Sequence, residues 1–172
     1  DALELLGSGG PYDLVFSSWV LGYIPLEPFF QKAAGALRKG GTLAFIVHRE
    51  HSPAEALDIF SEIVAEDPSA LLKRVRFDFP RDTGQVAGLL ASVGLEPVEL
   101  RDGAITFRYD GPADVLDHLL KSGAGTAYYE ALDPARRPAL EKRFLETLAA
   151  RKTSPGPYEV VHDFIACIAR KI

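Results

Sequence analysis

Pro11-Tyr12-Asp13-Leu14-Val15-Phe16-Ser17-Ser18-Trp19-Val20-Leu21-Gly22-Tyr23-Ile24-Pro25 opens the stretch that decides the fold, and Leu37-Arg38-Lys39-Gly40-Gly41-Thr42-Leu43-Ala44-Phe45-Ile46-Val47 closes it. Asp13 to Ser17 reads as a strand and Thr42 to His48 as a second. Both carry unbroken apolar runs, as parallel strands do when neighbours and helices cover them. Between them, Leu26 to Arg38 has helical periodicity, with Phe29, Ala33, Ala36 and Leu37 on one face, Pro28 in its first turn and Gly40-Gly41 as its stop. Leu14-Val15-Phe16 has no strand before it to pair with. The chain starts at Asp1 and holds no methionine. Either the sequence is a fragment whose missing part supplies the neighbour, or a second chain does.

Composition narrows the function classes. The sequence has 172 residues, of which 47% are apolar and 25% charged, the values of an ordinary globular chain with one core. A net charge of −5, with the 19 Lys and Arg scattered, gives no footprint for nucleic acid or anionic lipid. No run approaches the roughly 20 apolar residues of a membrane span, and Asp1-Ala2-Leu3-Glu4 does not begin a signal peptide. The one cysteine, Cys167, falls in an apolar run and reads as a buried thiol, in keeping with a cytoplasmic chain.

Further along, Ser52-Pro53-Ala54-Glu55 has the form of a capping box opening a helix to about Ala65, with Leu57, Phe60 and Val64 on its apolar side. Asp67 to Arg81 reads as irregular. A helix from Asp82 to Val93 turns Val86, Leu89, Leu90 and Val93 inward and ends at Gly94. Asp102-Gly103, flanked by Pro97–Leu100 and Ala104–Tyr109, is a strong two-residue hairpin signal. Helices follow at about 112–121, 126–132 and 134–151, the last capped by Asp133 and burying Leu140, Phe144, Leu145 and Leu148. Tyr158 to Ile168 is the closing strand. The fold class is α/β.

The "Asp-Leu-Val" strand ending in a polar loop, followed by "Leu-Arg-Lys-Gly-Gly-Thr-Leu" before the next strand, resembles the middle of a class I S-adenosylmethionine-dependent methyltransferase. The resemblance implies a partial Rossmann-like sheet of parallel strands ending in an antiparallel pair. It makes residues 1–172 the carboxyl-terminal portion of one such domain, with a helical lid insert at about 112–151 before the last strand. S-adenosylmethionine is the implied cofactor and a small molecule the implied partner. Ser17, Ser18 and Trp19 match the loop beside the donor, and Asp1-Ala2-Leu3 the "Asp-Ala-x-x-Leu" after the family's third strand, which meets the donor's adenine edge. The family's glycine-rich donor loop has no counterpart here, so the isolated chain is expected to be inactive. Gly7-Ser8-Gly9-Gly10 precedes a strand where a donor loop would follow one, and reads as a connection.

Ligands of open α/β sheets lie beyond the carboxyl ends of the parallel strands. That rule, independent of any family, points to Ser17–Trp19 and to His48-Arg49-Glu50. Tyr23, His48 and Arg49 are the candidates to orient an acceptor, against a plain surface turn. His118 reads as packed and His162 as structural. No histidines show metal-ligand spacing, and no metal is expected. Ser122 to Tyr129 with Arg136-Arg137 loosely resembles the lid of trans-aconitate and malonyl-carrier-protein methyltransferases. That likeness implies Tyr128 as a substrate contact and a carboxylate as one acceptor, whereas glycine punctuation and solvated arginines explain the same residues without one. The competing functional class is a non-catalytic α/β module that self-associates, as a homodimer, through its unpartnered strand.

Overall fold

The computed structural model describes residues 1–123 and 125–172. Its elements run α1 (Ala2–Ser8), β1 (Tyr12–Ser18), α2 (Leu26–Ala36), β2 (Leu37–His48), α3 (Ala54–Glu66), a 3-10 turn (Pro68–Ala70), α4 (Thr83–Ser92), β3 (Leu95–Tyr109), α5 (Pro112–Lys121), α6 (Gly123–Ala131), α7 (Arg137–Arg151) and β4 (Tyr158–Lys171). One four-stranded sheet has the order β1-β2-β4-β3. β1 and β2 are parallel, with Val15 beside Leu43 and Ser17 beside Phe45. β4 runs antiparallel to β2, placing Cys167 opposite Phe45 and Ile165 opposite Val47.

The chain forms two units: residues 1–52, 77–104 and 163–172 make the first, and 53–76 with 105–162 the second. In the first, strand residues of one parity (Val15, Leu43, Phe45, Val47, Ile165, Cys167) meet Phe29, Phe30 and Ala33 of α2 and Val86 and Leu90 of α4. Burial pushes the Cys167 thiol up to about 12, with Glu99 adding to it. It is a packing group rather than a nucleophile. Residues of the other parity stay open: Leu14 is 56% exposed and Phe16 66%. The expectation that this run is covered on both faces is therefore met on one face only. β1 lies at the edge of the sheet, so the described residues offer no strand beyond it.

In the second unit Ala56, Ile59 and Ile63 of α3 pack with Val115 and Leu119 of α5, Phe144 and Leu148 of α7, and Val160 of β4. Ion pairs follow the same seam, Arg143 to Glu66 at 3.1 Å and Arg136 to Asp67 among them. They are exposed, so their contribution is small.

Four local expectations are corrected. α2 ends at Ala36 because Leu37 turns extended and pairs with Tyr12; Gly40-Gly41 sit instead where the β1–β2 register slips. The Ser52 hydroxyl does not cap α3, whose first residue follows Pro53; it accepts from the Asp163 amide at 2.7 Å and ties β4. α7 starts at Arg137 with Pro138 in its first turn, while Asp133 accepts from the Ala135 amide in the turn before it. Asp102-Gly103 makes no hairpin, and β3 runs straight through both residues. A Cβ on Gly103 would stand 2.2 Å from Cζ of Phe164, so this glycine admits a neighbouring ring and does not turn the chain.

Candidate functional site

The parallel pair brings its two carboxyl ends side by side, and a group of aromatic side chains gathers there. β1 closes with Ser17 and the exposed Ser18, and Trp19 then takes a left-handed backbone with φ of 60°. So bulky a residue holds that conformation only when its surroundings fix it. Three contacts do so here. The Trp19 amide donates to the Ile46 carbonyl at 2.9 Å, and its indole leans on the His48 ring at 4.6 Å and on Phe164 edge-to-face at 5.7 Å.

His48, the last residue of β2, also meets Phe79 at 6.0 Å. Burial holds its imidazole below the usual histidine range, which favours the uncharged ring. Tyr23 packs edge-to-face on Phe77 at 5.3 Å and on Phe79 at 5.6 Å, yet stays 40% exposed. Burial raises its hydroxyl, which keeps it a donor at neutral pH. The wall thus consists of Trp19, Tyr23, His48 and Phe79.

Loops lock this wall in place. The Asp78 amide donates to the Gly22 carbonyl at 2.8 Å, and its carboxylate accepts from the Leu26 amide at 2.6 Å, capping α2 from 52 residues away. Gly22, at φ of 98°, lets the Phe79 ring lie against the chain; a Cβ there would be 2.0 Å from it. The Glu50 amide donates to the Pro80 carbonyl at 2.9 Å. Arg49 is engaged elsewhere: its Nε donates to the Arg81 carbonyl at 3.2 Å and its Nη1 faces Asp102 at 3.6 Å.

The structure therefore joins Trp19 directly to His48, and reaches Tyr23 through Phe79. Ala2 begins α1, and Asp1 caps it, its carboxylate accepting from the Leu3 amide at 2.8 Å. Tyr128 belongs to the second unit, against Phe60 at 5.1 Å. Sequence reading overlooked Phe77, Asp78 and Phe79. Their alternation of ring, acid and ring before Pro80 was the available signal, within a segment read only as irregular.

The second unit holds a different constellation. The Tyr109 hydroxyl lies 2.6 Å from His118 Nδ1, and His118 Nε2 lies 2.8 Å from His162 Nε2. The packed histidine expected at 118 is thus the centre of a polar chain. Burial lowers its basicity, partly offset by Asp117. Among the described residues no group of three or more His, Cys, Asp or Glu is placed to hold a metal, and no helix is long and apolar enough to cross a membrane.

No protein-family model matches the sequence, and no curated protein matches it. Solved structures do match the fold. A Bacillus halodurans protein provisionally assigned as a methyltransferase superposes with a TM-score of 0.56 at 17% identity, over 99% of this chain and 75% of that one. The fold is that of the class I methyltransferases. Geranyl diphosphate C-methyltransferase of Streptomyces coelicolor A3(2) aligns with a TM-score of 0.47 at 15% identity, and this chain spans 52% of its length. TehB of Haemophilus influenzae aligns at 0.48 and 9% identity, with 39% of its chain spanned.

Proposed function

We propose that the chain forms part of an S-adenosylmethionine-dependent methyltransferase acting on a small-molecule acceptor, and that the donor lies against Trp19 at the carboxyl end of β1. The observation that carries this reading is the left-handed Trp19 set against His48, at the sheet end where α/β folds place ligands. The fit is chemical as well as positional. A sulfonium cation is attracted to aromatic faces, at roughly 0.5–2 kcal/mol each, and this end of the sheet presents Trp19 and Tyr23.

S-adenosylmethionine, when bound, supplies an electrophilic methyl group on a cationic sulfur. The residues here orient and exclude water: Trp19, Tyr23 and Phe79 wall the site, and Ser17 and Ser18 offer hydroxyls at the strand end. In this reading His48 orients the acceptor and, for a hydroxyl or amine, would take the proton as the lone pair attacks. A carboxylate acceptor, weighed on the sequence, is less favoured at this end because Arg49 is already held by Arg81 and Asp102. Asp1 and Ala2 remain the proposed contacts for the adenine edge, and Tyr128 a proposed substrate contact. The donor loop that the resemblance implies would come from polypeptide outside these residues. The buried free Cys167 accords with a reducing compartment such as the cytoplasm.

Calorimetric titration with S-adenosylmethionine, which carries the sulfonium, tests the reading. Saturable one-site binding, weakened about tenfold in Trp19→Leu, is expected. Binding that Trp19→Leu leaves untouched would remove Trp19 from the site, and no binding by the full-length gene product would remove the function.

A second reading has its own observation. The free edge of β1, with Leu14 56% and Phe16 66% exposed beside it, suits pairing with a second copy of the chain, as in a self-associating module. Particle size in solution, compared between wild type and a β1 variant, separates self-association from donor binding.

A further inference from the structure

The second unit holds a partly open cavity of about 60 Å³ between α3, α5, α6 and α7, with walls that include Leu57, Phe60, Leu116, Leu120, Tyr128 and Phe144. Leu57, Phe60 and Val64 are the side chains whose periodicity marks the apolar side of α3. They are only half-buried, because they face this space while Ala56, Ile59 and Ile63 fill the core.

One end of the cavity is polar. Arg137 enters from the first turn of α7, and its guanidinium lies over the Tyr129 ring, 4.7 Å from the centroid. Its Nη2 reaches the Glu130 and Leu132 carbonyls at 3.4 Å. The Tyr129 hydroxyl donates to Glu141, which also lines the cavity, and that bond raises the tyrosine above its ordinary range. Ser122 is occupied as well, donating to the Leu119 carbonyl at 2.6 Å and accepting from the Gly125 amide at 3.3 Å. One donor is left over. Arg137 Nε is buried with no hydrogen-bond partner among the described residues. A buried charged donor without an acceptor is costly, and native folds seldom keep one without a reason.

We propose that this cavity is a ligand site for a small neutral molecule, apolar over most of its surface and carrying one carbonyl that accepts from Arg137 Nε. Three features select that class. The walls are almost wholly apolar, so the ligand body is hydrocarbon. Arg137 and Glu141 are one positive and one negative lining group, so the site has no net charge to hold an anion or a cation. The orphan is single: a water molecule would need two to four polar partners, whereas a carbonyl needs one. The volume holds roughly four to six water-sized groups, the bulk of one six-membered ring. The site does not rest on methyl transfer and stands whether or not the chain binds a donor.

Methyl-resolved NMR titrations of the 172-residue chain with cyclohexanone, cyclohexene and cyclohexanecarboxylate test it. Cyclohexanone should shift the methyl signals of Leu57, Val64, Leu116 and Leu120, and bind about tenfold tighter than cyclohexene, the weight of one hydrogen bond to a charged donor. In Arg137→Lys that advantage should vanish while the ring compounds still bind. Equal affinity for ketone and hydrocarbon in the wild type would make the cavity a plain apolar void and overturn the assignment. So would tighter binding of the carboxylate, or the absence of shifts at those leucines. The wild-type comparison decides even if the variant does not fold.

Discussion

Trp19, His48 and Gly103 show how far single residues carry the account. Asp102-Gly103 reads as a turn because those residue types tolerate positive φ, but the same glycine also suits a place where a neighbour needs the room of a missing Cβ. The sequence does not separate the two uses; the ring of Phe164, 61 positions later, does. Gly103→Ala should destabilise the protein by about 1–3 kcal/mol through overpacking, measured by urea unfolding, whereas a residue in a free turn would change it little. His48 bears on pH. Its folded basicity and that of His118 lie below the ordinary value of 6.5, so the unfolded chain binds protons first. Their contribution is complete above about pH 6.5 and is lost as pH falls toward the lower folded values. The melting temperature should drop on acidification through that window. His48→Phe, which keeps a ring beside Trp19, should flatten the drop; an unchanged slope would refute the assignment.

At the scale of elements, the helices and the parallel pair were legible because periodicity and apolar runs are local signals. α3, α4 and α5 lie where their patterns put them, and β1 and β2 are the two strands of the opening stretch. What was not legible depends on distant partners. The end of α2 is set by Leu37 pairing with Tyr12, and its start by Asp78. The Ser52 hydroxyl finds Asp163 rather than its own helix. The candidate site divides in the same way. The strand ends Ser17–Trp19 and His48 follow from sheet geometry, while Phe77-Asp78-Phe79 joins them only through tertiary contacts. Asp78→Ala should cost about 0.5–2 kcal/mol, as losses of helix-capping side chains do, with hydrogen exchange accelerated first at the Leu26 amide. Uniform acceleration throughout α2 would instead mean that the carboxylate supports the whole helix.

For the molecule as a whole, two units each carry their own apolar cluster, and the aromatic wall and the apolar cavity belong to different ones. Leu14 and Phe16 leave two large apolar side chains exposed beside the edge of the sheet at β1. Phe16→Lys should reduce concentration-dependent self-association in sedimentation velocity without lowering the melting temperature, because the ring is not part of the core. If association persists in the variant, this face does not mediate it. With the methyl donor proposed at the β1–β2 carboxyl ends, Trp19, the sole tryptophan of the sequence, is a built-in reporter through its emission. Titrating the protein with S-adenosylhomocysteine should produce a saturable change in that emission, together with protection of Trp19 from acrylamide quenching. Saturable binding by calorimetry with emission and quenching both unaltered would place the donor elsewhere and contradict the claim.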